Sequence, residues 1–292
     1  MSLTALYDVP APAKLNLFLH IIGRRDDGYH LLQSVFVLID WADTLHVELR
    51  RDGQLARHDL GAALPADDLC LRAARALQAA SGTPLGADIS IDKQVPWGAG
   101  MGGGSSDAAS TLLALNRLWQ LNWPREKLMA LGLTLGADVP FFLGRGPAWV
   151  EGIGEKLTPI DLPAQWLAVV KPAASIETRG IFLSPLLVRN TDAAIVAGFL
   201  EDGGIHSLLE GFGRNDLQPP AESQCSEVAQ AARLLEARFG NSRMTGSGSA
   251  VFARAGMNDM PTATMPTDLP SGWVGRMCRS LVRHPLQGWC AD

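Results

Sequence analysis

Residues 96–109 read Pro-Trp-Gly-Ala-Gly-Met-Gly-Gly-Gly-Ser-Ser-Asp-Ala-Ala, with five glycines among the seven positions 98–104. Backbone N–H groups in such a run have no side chains in front of them. Ser105, Ser106 and Asp107 follow as good N-cap residues for an apolar helix expected to begin near Ala108. A bare loop feeding a helix N-terminus is an anion site, because unpaired amides and the positive dipole end face the same point. Polyphosphate is the natural occupant, and a flexible linker would not run straight from a strand into a capped helix. Two other places carry groups able to do chemistry. Lys14 and Asn16 alternate along an apolar strand and so project side by side, and Asp138 sits in a Gly-Ala-Asp-Val-Pro link, too near Pro140 to be helix interior. A lone Asp in a link is also an ordinary cap or solvated loop residue, and Lys14 could be a surface lysine on a strand edge.

The elements that must position these groups are legible in outline. Ala13 to Ile22 alternates, with Leu15, Leu17, Leu19 and Ile21 on one face and Lys14, Asn16, Phe18 and His20 on the other. Asp27-Gly28 signals a hairpin turn, and Leu31–Ile39 and Thr44–Leu49 extend an antiparallel meander. A helix is predicted over Asp67–Ala80, closed by Gly82, and a strand over Ala87–Asp92 that runs through Lys93 into the glycine loop. Ala108–Leu121 is apolar nearly all round and reads as a buried helix, with Pro124 opening the next one. The pattern resets around Pro159–Pro163, which divides the chain into residues 1–160 and 161–292. Beyond it come a short strand at Trp166–Val170, a helix over Glu222–Phe239, two strands pinched by Thr245-Gly246-Ser247-Gly248-Ser249, and a loop over 258–272. Strands mixed with helices, antiparallel pairs included, make this an α+β protein of two domains.

Composition narrows the classes. The chain has 292 residues, 47% hydrophobic and 19% charged, which is an ordinary globular balance. A net charge of −5 with no Lys/Arg stripe gives no footprint for nucleic acid. Cys70, Cys225, Cys278 and Cys290 form no CxxC pair and read as reduced thiols. The apolar runs Leu15–Ile22 and Val35–Ile39 are interrupted or closed by polar residues far short of a membrane span. A soluble, cytoplasmic protein is expected, with no membrane partner and the oligomeric state left open.

Three phosphate-binding schemes fail. Gly98, Gly100 and Gly103 satisfy GxGxxG, but the acid that a dinucleotide fold needs about twenty residues on would fall near Trp123-Pro124, between two helices. A Walker A loop needs Lys after its last glycine, whereas Gly103 is followed by Gly104-Ser105. The companion HRD and DFG triplets of protein kinases are missing.

The remaining arrangement resembles that of the GHMP small-molecule kinases. The resemblance runs through PAKLNLFLHIIGRRDDGYH at 12–30, PWGAGMGGGSSDAA at 96–109, LGADVPFFL at 135–143, RNDLQPPA at 214–221 and RMTGSGSAVFA at 243–253, in order over most of the chain. Residues 14–30 are similar to the branch whose acceptor is a diphosphocytidyl methylerythritol. Trp97 and Met101 stand where the family often has smaller or aliphatic residues, and the tail after Gly256 matches nothing usable.

The resemblance implies an N-terminal α/β domain with a mixed sheet, a C-terminal ferredoxin-like domain and a cleft between them. It implies ATP as phosphoryl donor, Mg²⁺ arriving with it, and a small-molecule alcohol as acceptor. Lys93, Pro96, Trp97, Gly98, Ala99, Gly100, Met101, Gly102, Gly103, Gly104, Ser105 and Ser106 would then surround the nucleotide, the two serines adding hydroxyls near the β- and γ-oxygens. Asp138 would accept the acceptor's hydroxyl proton, with Lys14 beside it and Asn16 bonding the substrate. Tyr29 and His30 would take the cytosine end, Phe182 its opposite face, and Lys171 and Thr178 the substrate side. Gly246, Ser247 and Gly248 would form a second turn near the phosphates. The Asn215-Asp216 pair reads equally as a helix cap. Rival readings are a homoserine- or mevalonate-type kinase, a catalytically silent nucleotide-binding regulator and, distantly, an oxidoreductase.

Overall fold

The computed structural model describes residues 3–194, 202–257 and 259–292. Its framework is two long antiparallel strands, β1 (Ala5–Arg24) and β2 (His30–Arg50), joined by a turn in which Gly28 has φ +92°. The sequence predicts two strands where β2 runs unbroken. Asp43, which lies in the gap between them, is fully buried and accepts hydrogen bonds from the amides of Gln94 (2.6 Å) and Val95 (2.7 Å). A polar side chain satisfied internally interrupts the apolar pattern without ending the strand.

β1 is also longer than predicted and carries Pro10 and Pro12, residues that a ladder normally rejects. Register shifts after Leu6, Pro12, Asn16 and Ile21 accommodate them. The shift between Asn16 and Leu19 breaks the expected two-face alternation, so Leu17 and Phe18 pack in one core cluster while Leu19 and Ile21 join another.

β3 (Leu55–Asp59), β4 (Gly86–Asp92), β5 (Ala148–Glu151), β6 (Lys156–Pro159), β7 (Trp166–Lys171), β8 (Arg243–Met244), β9 (Val251–Arg254) and β10 (Val274–Leu281) complete a mixed sheet. The order is β3-β4-β2-β10-β7-β9-β8, with β1 and β5 pairing to β2, and β6 to β5. β10 lies between β2 and β7. Gly275, Arg276 and Arg279 hide this strand in the sequence, although Cys278 and Ser280 are buried.

Helices α1 (Leu69–Ser81), α2 (Gly103–Leu118), α3 (Arg125–Leu133) and α4 (Val139–Leu143) accompany the first strands, and α1 is capped by Asp68 and Gly82 as its sequence requires. α2 packs against β1, β2, α1 and α4, and its apolar residues join one core cluster with β2 and β4. It starts five residues before the expected Ala108, because Gly102 at φ +71° turns the chain and already accepts from the Ser106 amide. The second half adds α5 (Thr178–Leu183), α6 (Asp202–Glu210), α7 (Gln218–Gln224) and α8 (Ser226–Phe239). The single helix predicted over Glu222–Phe239 is broken at Cys225, whose ψ of 99° is extended. The loop expected over 258–272 is irregular from 259 on, residue 258 lying outside the described residues.

Candidate active site

One edge of β1 organises the site. Its opposite edge pairs with β2, while its remaining amides feed loops instead of a strand. Lys14 N donates to Met101 O (2.9 Å), Asn16 N to Thr245 Oγ1 (2.9 Å), Leu19 N to Arg214 O (2.8 Å) and Ile21 N to Asp216 Oδ2 (2.8 Å). The segments that the sequence singles out thus dock side by side on one strand.

Two glycine turns interlock there. Gly98, Gly100 and Gly102 all have φ between +59° and +71°. A Cβ on Gly100 would overlap the Thr245 carbonyl oxygen, and one on Gly246 would come 2.6 Å from Gly100 O. Ser249 N donates to Gly98 O (3.0 Å) and Ala250 N to Ala99 O (3.1 Å). Only glycine meets both the backbone angle and the close approach. Beside these turns lies a cavity of about 370 Å³ walled by residues 96–105, Lys93, Asp107 and the start of α1. The first-turn amides of α2, at Gly103, Gly104 and Ser105, lie in that wall at the positive end of a sixteen-residue helix.

Two residues expected at the nucleotide are otherwise engaged. Ser106 is fully buried and its hydroxyl donates to Pro12 O (2.7 Å), so it offers nothing to a phosphate. Lys93 lines the cavity, but its ammonium is held by Asp43 and by Asp107 Oδ2 (2.5 Å). Burial opposes the Lys93 charge, yet the two carboxylates outweigh it and its pKa is raised. Burial also pushes the Asp107 carboxyl well above its ordinary value, with Lys93 opposing. This cluster braces the junction of β4 and the glycine turn from below.

Asp138 immediately precedes α4 and makes no capping bond, so its carboxylate is not spent on the helix. Lys14 Nζ lies 4.0 Å from Asp138 Oδ2 and 2.6 Å from Asn16 Oδ1, with the Phe36 ring centroid at 4.7 Å. Burial lowers the Lys14 pKa and Asp138 partly counters this. The glycine turn reaches the same spot, since a Cβ on Gly102 would meet the Phe142 ring of α4 at 2.7 Å and Lys14 Cγ at 3.3 Å.

Asn16 differs from its expected role. It is 1% exposed, and its Oδ1 accepts from Lys14, Thr245 Oγ1 (3.1 Å) and Gly246 N (2.9 Å), while Nδ2 donates to Ser34 (3.0 Å). It is a junction that ties the lysine to the second glycine turn, its Oδ1 fully engaged and one Nδ2 proton committed to Ser34. The alternation of Lys14 and Asn16 signals their proximity; Thr245 as the third partner lies too far along the chain to be foreseen.

Tyr29 is 60% exposed beyond the Gly28 turn and takes no part in core packing. The His30 and Phe182 rings stack on each other, centroids 5.0 Å apart and 28° between planes, so Phe182 covers His30 directly. Thr178 and Ser247 share a hydroxyl contact of 2.8 Å, bringing α5 to the second glycine turn. Lys171 is buried, and its ammonium donates to Pro172 O (2.6 Å) and Ala174 O (2.9 Å). Asn215 proves to be both cap and brace: Oδ1 accepts from Leu217 N, and Nδ2 donates to Met244 O and Gly246 O. Among the described residues no cluster of three or more His, Cys, Asp or Glu could hold a metal ion, and no helix is long and apolar enough to cross a membrane.

Comparison with known proteins places the chain in a family. The model of the GHMP kinases N terminal domain matches residues 68–146, and that of the GHMP kinases C terminal domain matches residues 198–258. The chain is 68% identical to the 4-diphosphocytidyl-2-C-methyl-D-erythritol kinase of Methylibium petroleiphilum over 99% of each chain. It is 58% identical to that of Paracidovorax citrulli over 98% of each. A crystal structure of 4-(cytidine 5'-diphospho)-2C-methyl-D-erythritol kinase superposes with a TM-score of 0.73 at 33% identity, covering 93% of this chain and 98% of that one. A homoserine kinase from Cytophaga hutchinsonii shares the fold, with a TM-score of 0.64 at 16% identity over 89% of this chain and 87% of its own.

Proposed function

The chain belongs to the 4-diphosphocytidyl-2-C-methyl-D-erythritol kinases of the GHMP family, and from that premise we propose how its residues divide the work. The reaction moves the γ-phosphoryl group of ATP to the 2-hydroxyl of 4-diphosphocytidyl-2-C-methyl-D-erythritol, giving the 2-phosphate and ADP in the methylerythritol phosphate route to isoprenoids. The observation that carries the assignment of roles is the position of Lys14, whose backbone amide holds the glycine turn at Met101 while its ammonium faces Asp138.

Phosphoryl transfer through a loose transition state needs positioning and charge neutralisation more than covalent chemistry. The amides of residues 98–105 grip the nucleotide phosphates, helped by the N-terminal end of α2. Asp138 takes the hydroxyl proton as the new O–P bond forms and the bond from phosphorus to the ADP oxygen breaks; the proton ends on the carboxylate. Lys14, held by Asn16, keeps a positive charge beside that carboxylate and the oxygens that gain charge. Tyr29 and His30 hold the cytosine end of the acceptor, with Phe182 stacked on His30 and Thr178 and Ser247 nearer the phosphates.

Mg²⁺ fits as a metal carried by the nucleotide. The cavity wall offers the hard oxygen of Ser105, and among the described residues no group of three or more His, Cys, Asp or Glu could form a dedicated cage. When bound, the ion would supply positive charge beside the nucleotide phosphates. We place residues 1–160 on the nucleotide side and 161–292 in the second domain, with β10 returning from the second to pair with β2 of the first, and we place the protein in the cytoplasm. ADP release coupled to a panel of alcohols tests the reading. Turnover is expected with the diphosphocytidyl alcohol, and phosphorylation of homoserine or mevalonate in its stead would reassign the acceptor.

A further inference from the structure

Arg189 approaches His30 from the segment after α5. Its Nε donates to His30 Nε2 at 3.3 Å, its Nη2 to the carbonyl oxygens of Phe182 (3.0 Å) and Ser184 (2.9 Å), and its Nη1 to that of Leu187 (3.1 Å). A guanidinium only donates and does not lose its proton. The imidazole nitrogen it addresses must therefore present a lone pair, and the single proton of the neutral ring lies on Nδ1. Burial lowers the His30 pKa, and Arg189 and Arg24 act in the same direction, so the neutral ring is the stable form. The stack on Phe182 holds the ring plane, and no described residue hydrogen-bonds Nδ1.

We propose that Arg189 is a specificity-determining positioning residue: by locking His30 as the Nδ1–H tautomer, it selects cytosine over uracil in the acceptor. The proposal rests on the assignment of Tyr29 and His30 to the base. Cytosine and uracil differ along the edge that a histidine would read, because cytosine N3 accepts a hydrogen bond while uracil N3 carries a proton. A neutral histidine free to exchange tautomers could serve either base, as a donor to one or an acceptor from the other. Arg189 removes the second option. A uracil then brings N–H against N–H and leaves both unpaired, which is the kind of mismatch that discriminates strongly in a desolvated site.

The test compares kcat/KM for the diphosphocytidyl alcohol and its diphosphouridyl counterpart in the full chain. Arg189→Met should lower that ratio by about tenfold or more, through a raised KM for the cytidylyl substrate with kcat largely kept. Arg189→Lys, which retains a donor, should recover part of the ratio. His30→Ala should also lose discrimination, and Arg189→Met should add nothing to it. Nitrogen-15 NMR of the unmodified protein should show the Nδ1–H tautomer at His30, and a mixture in Arg189→Met. An equal loss for both substrates would reduce Arg189 to a brace for residues 182–187 and overturn the proposal. A wild-type ratio near one, an Nε2–H tautomer or additive effects would overturn it as well. Failure of the wild-type chain to release ADP with the cytidylyl alcohol would instead sink the kinase reading itself, and it would appear before any variant is compared.

Discussion

Lys14 and Asp138 stand 4.0 Å apart, with the lysine side chain 4% exposed and the aspartate 34%. The asymmetry is consistent with the parts proposed for them. On the proposed mechanism, an acceptor alcohol entering from solvent would meet the carboxylate, while the ammonium would act from behind it. β1 fixes the lysine and the short α4 fixes the aspartate, so the pair exists only when those two elements pack.

Asp138→Asn keeps the side-chain shape and removes the proton acceptor. Turnover is expected to fall about 10²–10⁴-fold, the range for lost acid–base assistance. Because the carboxylate caps nothing, the stability lost should be that of its half-exposed 4.0 Å pairing with Lys14 alone, about 1 kcal/mol or less, as read from urea unfolding. Wild-type turnover in a folded variant would remove Asp138 from the chemistry.

Lys14 predicts opposite pH trends for activity and stability. Burial, the larger influence, lowers its pKa below the ordinary 10.5. Its positive charge is therefore lost at a lower pH than an exposed lysine would lose it, and kcat should decline there. Between the lowered folded value and the ordinary unfolded one, the unfolded chain binds the additional proton, so this group's contribution to unfolding free energy rises with pH. Profiles of kcat at saturating ATP, set beside urea midpoints, read both trends. Asn16→Asp places a negative charge where Oδ1 now lies 2.6 Å from Nζ and should move the alkaline limb upward. A limb that does not move would point to another group.

The contrast between legible and hidden parts follows from what a sequence pattern records. The glycine run, the Lys14–Asn16 alternation and the caps at Asp68 and Gly82 are local chemistry, and local chemistry is readable. The unbroken β2, the bulge that redirects Phe18 and the placement of β10 depend on partners distant in the chain: the Asp43 carboxylate on the 94–95 amides, the loops on the β1 edge, and the gap between β2 and β7. The same limit hides what three side chains already bind within the fold. Ser106, Lys171 and Asn16 have the right chemical type for ligand contact, but each already bonds within the fold: Ser106 to Pro12, Lys171 to Pro172 and Ala174, and Asn16 Oδ1 to Lys14, Thr245 and Gly246. Residue type is visible in sequence, whereas spare hydrogen-bonding capacity is not.

Lys93 bridges Asp43 and Asp107 beneath the glycine turn, all three side chains being at most 9% exposed. Lys93→Met would leave two buried carboxylates without a cation, at a cost of about 3–5 kcal/mol. Burial already raises the Asp107 pKa, and such a group stabilises the fold below its unfolded value and loses that contribution as pH rises through the folded value. The deficit of the variant should therefore shrink on acidification from about pH 7 to about pH 5, measured as the difference in urea midpoints from wild type. A deficit independent of pH would show that lost packing of the lysine stem, and not unpaired charge, is the cause.

Gly100 and Gly104 lie four positions apart in the same run but meet different surroundings. Gly100 has φ +71°, and a Cβ there would overlap Thr245 O and come within 3.0 Å of Gly248 N. Gly104 lies within α2, where the nearest atom to an added Cβ is Leu69 Cδ1 at 3.5 Å. Gly100→Ala should therefore cost more than about 1 kcal/mol and weaken ATP binding by separating the two turns. Gly104→Ala should stabilise the nucleotide-free protein by about 0.4–1 kcal/mol, since it replaces glycine in an open helical position. Thermal unfolding without nucleotide, followed by ATP titration, separates the two effects. Similar destabilisation of both variants would mean that the run resists any side chain, and the interlock with residues 245–248 would lose its standing as the reason for the glycine at 100.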